Sequence, residues 1–282
     1  MVDFTSYVKM VPGGFGDVVL EPVRSQCLPT VTDDELHLLP QTVLGYSFAA
    51  NKWGRFLVEK FKSIEWTPGA FNDLVLSPEK KELIESLVCA NRDGLISDII
   101  PGKSGGSIMI LHGPPGTGKT LTAEAAAELS RKPLLVTTAG ELGDKAPELE
   151  NRLQKILKLC DLWEAILLID EAEAYLENRV YGNTMRNAVV SVLLRLLEYH
   201  KEVIFLTTNY IGRIDVAFKS RISVAIKYPP LDITSREKIW IRFFETAGVE
   251  VIDSELYFPR AGESKFTRLQ LNKLANRELN GR

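Results

Sequence analysis

Several features are scarce in this chain, and each shortage removes a class of function. Its 282 residues include three cysteines, Cys27, Cys89 and Cys160, far apart and with no C-x-x-C pair. That spacing suits neither a disulfide frame nor a zinc site, and reads as buried thiols of a reducing compartment. The three histidines, His37, His112 and His200, form no H-E-x-x-H or Cys/His set. His112 reads as a packed strand-end residue rather than a catalyst. No apolar run approaches the roughly 18 residues of a membrane span, and the N-terminus lacks a secretory-signal profile. The formal net charge is −3, so the basic footprint of a nucleic-acid binder is missing overall. Low-complexity tracts and internal repeats are absent too. With 45% hydrophobic and 25% charged residues, the composition is that of a soluble globular protein with ample core. The expected location is intracellular, first the cytoplasm, with an organelle or the nucleus as alternatives, and nucleic acid is not an expected partner.

Against this plain background one stretch stands out. Gly113-Pro114-Pro115-Gly116-Thr117-Gly118-Lys119-Thr120 satisfies the phosphate-loop pattern G-x-x-x-x-G-K-[ST] at every constrained position. The apolar run Ser107–Leu111 before it reads as a buried strand, and Leu121–Arg131 after it as a helix. Glycines free the backbone to turn its N–H groups around a phosphate chain. The helix N-terminus faces the same anion with its positive dipole end. Lys119 adds a full charge for the β- and γ-phosphates, and the Thr120 hydroxyl suits Mg²⁺.

Two look-alikes carry less. Gly14-Phe15-Gly16-Asp17-Val18 lacks the third glycine of a nucleotide-binding loop and reads as a turn. Gly102-Lys103-Ser104-Gly105-Gly106 matches G-x-S-x-G, but it precedes a strand, whereas a nucleophile elbow follows one.

Taken in order, residues 1–62 are the least informative part. Leu44–Phe48 followed by Trp53–Phe61 suggests a strand or turn leading into a short helix. Residues 63–230 alternate strands with helices. Ser77-Pro78-Glu79 opens a helix with a cap, a first-turn proline and an acid. Strands are expected at 133–138, 165–169, 203–208 and 222–228, with helices at 148–163 and 189–197. Strands apolar on both faces imply a parallel sheet covered on both sides, a three-layer α/β sandwich of the P-loop NTPase type. After Pro229-Pro230 the strands are expected to stop, leaving a small all-helical lid over 231–282 with helices at 235–246 and 266–279. Asn280-Gly281-Arg282 reads as a helix start with no helix after it, so the lid is expected to be truncated.

Three further sites follow the phosphate loop. Asp170-Glu171 ends a buried strand, where open α/β sheets bind ligands. Asp170 suits the Mg²⁺ shell, and Glu171 suits orientation and deprotonation of a water; a solvated loop is the plain alternative. Asn209 ends the next strand and suits a γ-phosphate sensor, although strand-end asparagines also form turns. Arg221, just before the last strand, suits an arginine finger or is simply a surface arginine.

Gly-Pro-Pro-Gly-Thr-Gly-Lys-Thr at 113–120, Ile-Leu-Leu-Ile-Asp-Glu-Ala at 166–172, Leu-Thr-Thr-Asn at 206–209 and Ser-Arg-Ile at 220–222 together resemble the ordered signature of AAA-type ATPases. The resemblance covers roughly residues 63–282. The stretch Arg186–Tyr199 is similar to a group of mostly uncharacterised fungal AAA ATPases. The resemblance implies an ATP-hydrolysing, Mg²⁺-dependent homo-oligomer, usually a hexameric ring, coupled to remodelling of a macromolecular partner. It implies that Lys119, Thr120, Asp170, Glu171 and Asn209 act within one subunit and Arg221 in its neighbour's site. It further implies that Pro114, Pro115, Gly116, Thr117, Gly118 and Leu121 line the nucleotide, with adenine against the backbone near Asp73 and Leu74. Two departures are visible. The R-x-G-R stretch of many relatives is shorter here, offering Lys219 and Arg221. The segment Glu141–Pro147, matching a pore loop that grips polypeptide, has no aromatic residue; a protein substrate stays open. Arg282 matches the lid sensor position. The alternative reading is an ATP-binding scaffold with negligible turnover; a DNA-handling clamp-loader relative is a third.

Overall fold

The computed structural model describes Met10 and residues 39–93, 106–176, 184–198, 200–209, 216–252 and 265–277. Gly14–Val18, Gly102–Gly105 with Ser104, and Asn280–Arg282 lie outside the described residues, as do Cys27 and His37. The chain divides into two compact units, Met1–Glu65 and Trp66–Arg282.

In the first unit, β1 (Thr42–Ser47) and β2 (Lys52–Leu57) form an antiparallel hairpin with Tyr46 opposite Trp53. The Tyr46 ring meets Trp53 edge-on at 5.3 Å and Phe48 at 5.7 Å. Asn51, at φ 49°, takes the left-handed position that the turn needs. The helix expected over Trp53–Phe61 is therefore corrected. Cross-strand aromatic pairing draws Trp53 into a strand, and only Val58–Lys60 coils, as a single 3₁₀ turn.

The second unit is built on five parallel strands: β3 (Ile108–His112), β4 (Leu134–Thr138), β5 (Ile166–Asp170), β6 (Ile204–Thr208) and β7 (Val224–Lys227), in the order β4-β5-β6-β3-β7. β5 is buried up to Ile169 and β6 along its whole length, including Thr207 and Thr208, in keeping with the apolar runs that begin both strands. Helices α1 (Pro78–Arg92), α2 (Lys119–Ser130), α3 (Ala139–Leu142), α4 (Ala146–Trp163), α5 (Glu173–Leu176), α6 (Thr184–Glu198) and α7 (Val216–Lys219) fill the connections. In α2 the buried face is small: Ala123, Ala125, Ala126 and Ala127 let the helix lie close to the sheet. That closeness matters because α2 begins inside the phosphate loop. This is the P-loop NTPase α/β architecture that the sequence led us to expect.

Beyond β7 come α8 (Ile233–Thr246), β8 (Glu250–Ile252), β9 (Lys265–Thr267) and α9 (Arg268–Ala275). The segment after β7 is not all-helical as expected: β8 and β9 pair in parallel, Val251 opposite Phe266. Phe266 was read as the start of a helix, but its ring stacks on Phe244 of α8 at 4.6 Å. The helix begins one residue after Thr267, which with Gln270 closes a capping box. No helix among the described residues is long and apolar enough to cross a membrane.

Candidate functional site

The phosphate loop leaves the carboxyl end of β3 and is fixed by backbone and hydroxyl contacts. The Gly113 N–H donates to the Thr208 carbonyl at 3.2 Å, tying the loop to β6. A Cβ at Gly113 would lie 2.4 Å from the Tyr228 carbonyl oxygen, so only glycine fits beside that neighbour. Gly118, at φ 92°, turns the chain into α2. The Thr117 hydroxyl donates to the Pro114 carbonyl at 2.8 Å. Thr122 donates its hydroxyl proton to the Gly118 carbonyl at 2.9 Å, so the 2.7 Å contact with Tyr228 has the phenol as donor. Burial pushes the Tyr228 phenol up to about 12, the Thr122 hydrogen bond acting in the opposite direction.

Lys119 is buried at 7% exposure, yet its ammonium meets three neutral oxygens. Nζ donates to the carbonyls of Gly113 at 2.9 Å and Pro114 at 2.8 Å, and to Asn209 Oδ1 at 2.9 Å. A buried cation held by dipoles inside a glycine turn has much to gain from an anion there.

Across from it, the Thr120 hydroxyl faces the Asp170 carboxylate, 3.2 Å from Oδ2 and 3.4 Å from Oδ1. A hydroxyl and a carboxylate at one point form the hard-oxygen donor set that Mg²⁺ uses alongside substrate phosphates. The residues present fit that ion. Among the described residues no cluster of three or more His, Cys, Asp or Glu offers a competing all-protein metal cage. Glu124, on α2, has its carboxyl raised by burial first and by the Asp170 charge second.

Asp170 and Glu171 are anchored from β6. The Thr207 hydroxyl donates to Asp170 Oδ1 and accepts the Glu171 N–H at 3.1 Å. Glu171 stands at φ 54°, left-handed for a non-glycine residue. Asn209, at the end of β6, receives Lys119 on its side chain while its own N–H donates to Glu173 Oε1 at 2.6 Å. Lys119, Thr120, Asp170 and Asn209 are thus brought together by direct contacts. Glu171 sits on the same rim, exposed.

Other expected residues lie as follows. Pro114 lends its carbonyl to Lys119 and Thr117; Pro115 is exposed, and Leu121 is 53% exposed in the first turn of α2. Leu74 is buried, while the Asp73 carboxylate pairs with Arg242 of α8. Arg221 is not at its own chain's site. Its guanidinium holds Glu198 Oε2 at 3.0 and 3.2 Å. Ser223 donates to the Ile108 carbonyl at the start of β3, whereas Tyr228 donates to the His112 carbonyl at its end. At about 3.3 Å per residue, Arg221 is separated from the phosphate loop by the length of the strand, roughly 15 Å or more. His112 ends β3 half-buried, and burial followed by Lys227, Lys80 and Lys119 lowers its pKa. Its place at the end of β3 agrees with the sequence reading of a packed strand-end residue.

Glu173, Thr207 and Tyr228 were not singled out from the sequence. For Thr207 a signal existed: with Thr208 it ends a strand that is apolar up to Leu206, two residues before Asn209.

Residues 109–230 match the family described as "ATPase family associated with various cellular activities (AAA)". The chain is 25% identical over 182 residues to the ATPase family AAA domain-containing protein 3A homolog of Drosophila melanogaster, covering 62% of this chain and 29% of that protein. It is 27% identical over 177 residues to the human ATPase family AAA domain-containing protein 3B, covering 59% and 26%. The meiotic spindle formation protein mei-1 of Caenorhabditis elegans is 24% identical over 220 residues, covering 72% and 46%. The matched region spans less than a third of the length of the first two relatives. On a five-stranded parallel sheet with a phosphate loop at its rim, these matches identify residues 109–230 as an AAA domain, distantly homologous to those of the AAA domain-containing 3 proteins.

Proposed function

We propose that this chain is an ATP-hydrolysing AAA module that works as a Mg²⁺-dependent homo-oligomer. The observation that carries the reading is convergence. Three loops at one sheet rim bring Lys119 to Asn209 at 2.9 Å and Thr120 to Asp170 at 3.2 Å, with Glu171 beside them. A binding-only site has no need for a strand-end glutamate held in a left-handed turn.

In this reading the loop backbone from Pro114 to Gly118 and the N-terminus of α2 cradle the phosphates, and Lys119 exchanges carbonyl oxygens for phosphate oxygens. Leu121 and the backbone at Asp73 and Leu74 flank the nucleoside. Thr120 and Asp170 would hold Mg²⁺, which would supply positive charge to offset that of the phosphates. Glu171 accepts the proton of the attacking water as its oxygen adds to the γ-phosphorus and the bond to the ADP oxygen breaks. Asn209 hydrogen-bonds the γ-phosphate side of the site, and a neighbour's Arg221 meets the charge of the transferring group.

Two features support assembly. Arg221, paired with Glu198, precedes the strand whose start meets the Ile108 carbonyl, at the opposite end of β3 from the phosphate loop, a position that suits a role in a neighbour's site. In the lid, α8 has no buried residue and leaves Ile233 and Phe243 at 49% and 59% exposure. A ring, hexameric by resemblance, is the proposed assembly. Remodelling of a partner is its proposed purpose, with the fungal AAA ATPases as the proposed kin. The proposed organisation is an N-terminal segment 1–62, a core 63–230 and a lid 231–282, located in the cytoplasm.

The test is phosphate release and binding of a fluorescent ATP analogue by the wild type and Glu171→Gln. Retained binding with turnover reduced at least a hundredfold supports the reading. Wild-type turnover in Glu171→Gln removes Glu171 from the chemistry.

A further inference from the structure

The acidic turn Asp170-Glu171-Ala172 is held almost entirely by one residue of the adjacent strand. Thr207 of β6 is 1% exposed and makes three contacts with three successive residues. Its hydroxyl proton goes to Asp170 Oδ1. The same oxygen accepts the Glu171 N–H at 3.1 Å. Its backbone carbonyl accepts the Ala172 N–H at 2.8 Å. Asp170 Oδ1 adds a 3.2 Å contact to the Glu171 N–H, closing a small ring of Thr207, Asp170 and Glu171.

This ring sits at a strained point. Glu171 at φ 54° lies in a region unfavourable for a β-carbon-bearing residue, and such conformations persist only where surroundings over-determine them. The Thr207 hydroxyl supplies part of that over-determination by satisfying the N–H of the strained residue itself. It has a second effect. By occupying Asp170 Oδ1 it leaves Oδ2 turned to Thr120, the nearer of the two carboxylate oxygens at 3.2 Å. One hydroxyl therefore sets both the rotamer of the metal-facing acid and the backbone that aims the glutamate.

We propose that Thr207 is a positioning residue whose hydroxyl locks Asp170 and Glu171 into their working geometry. This rests on the proposed ATPase reading for its consequences in turnover, but its structural content does not.

The experiment compares Thr207→Val, which keeps shape and the backbone bond but loses the hydroxyl, with Thr207→Ser, which keeps the hydroxyl. Amide hydrogen exchange of the 168–173 segment is measured first, without nucleotide. Thr207→Val is expected to speed exchange there at least tenfold, with Thr207→Ser close to wild type. The Mg²⁺ concentration that half-saturates the metal-dependent binding of a fluorescent ATP analogue is measured next. It is expected to rise several-fold in Thr207→Val only. Turnover is expected to fall tenfold or more in Thr207→Val with KM within about twofold, and Thr207→Ser should restore it. If Thr207→Val matches wild type in exchange at 168–173, the proposal is overturned, whatever the enzyme does. Equal damage by both variants, with equal losses of melting temperature, also overturns it, because a packing role alone accounts for that result. A wild type that hydrolyses nothing refutes the ATPase reading and leaves the exchange result to decide the positioning claim.

Discussion

Lys119 shows how far the sequence pattern and the physical chemistry of the site agree. A lysine ammonium at 7% exposure carries a large desolvation cost, and here it is met by two loop carbonyls and one amide oxygen. Lys119→Ala is therefore expected to weaken ATP-analogue binding at least tenfold in a fluorescence titration while leaving the thermal melt largely unchanged. Behind the loop, Tyr228 makes a separate prediction about pH. Its phenol is raised to about 12 by burial, against 10.0 in an open chain. Folding stability from this group is complete below pH 10 and is lost as pH rises through 12. The loss amounts to about 2–3 kcal/mol once the phenol is ionised in both states. Urea unfolding between pH 9 and 12 should show this fall in wild type and a smaller one in Tyr228→Phe. Parallel curves would mean that the phenol is not buried as described. The placement of Lys119, Asp170 and Glu171 at the sheet rim was legible because the pattern that marks them is short and local. Thr207 and Glu173 were not, because their partners lie 37 and 36 residues away and only the sheet register brings them together.

At the scale of elements, the connection after β4 separates local from tertiary signals. By resemblance, Glu141–Pro147 matches a substrate-gripping loop but lacks its aromatic residue. The structure instead begins a helical turn at Ala139, because Thr138 and Glu141 close a capping box. It then tethers that turn: the Tyr175 hydroxyl lies 2.9 Å from the carbonyls of both Ala139 and Gly143. The capping pair was readable in the sequence, four residues from Thr138 to Glu141; the tether from Tyr175 depends on α5 folding back and was not. Thr138→Ala is expected to destabilise the fold by about 1 kcal/mol in chemical unfolding. It should also speed amide exchange over 139–143 ahead of the rest of the sheet domain. No local change, at unchanged exchange elsewhere, would show the box to be unimportant to that turn. The strands of the sheet were legible because four of them are short unbroken apolar runs. The lid's paired strands were not, since three-residue strands carry no period to detect.

For the whole molecule, the decisive feature is that the residues proposed for catalysis do not all meet in one chain. Lys119, Thr120, Asp170 and Asn209 converge at the carboxyl rim of the sheet, while Arg221 is held by Glu198 beyond the amino end of β3. In the proposed reading, a neighbouring subunit completes the site. Arg221→Ala is expected to lower turnover by a hundredfold or more with ATP-analogue affinity nearly unchanged, since transition-state arginines contribute roughly 10³-fold or more. The most direct test is the rate of phosphate release per protomer as protein concentration is raised at saturating Mg²⁺-ATP. Catalysis built at an interface gives a rate per protomer that climbs steeply and then levels off as the assembly fills. A rate near zero and flat across the whole range would contradict the account and leave an ATP-binding scaffold in its place.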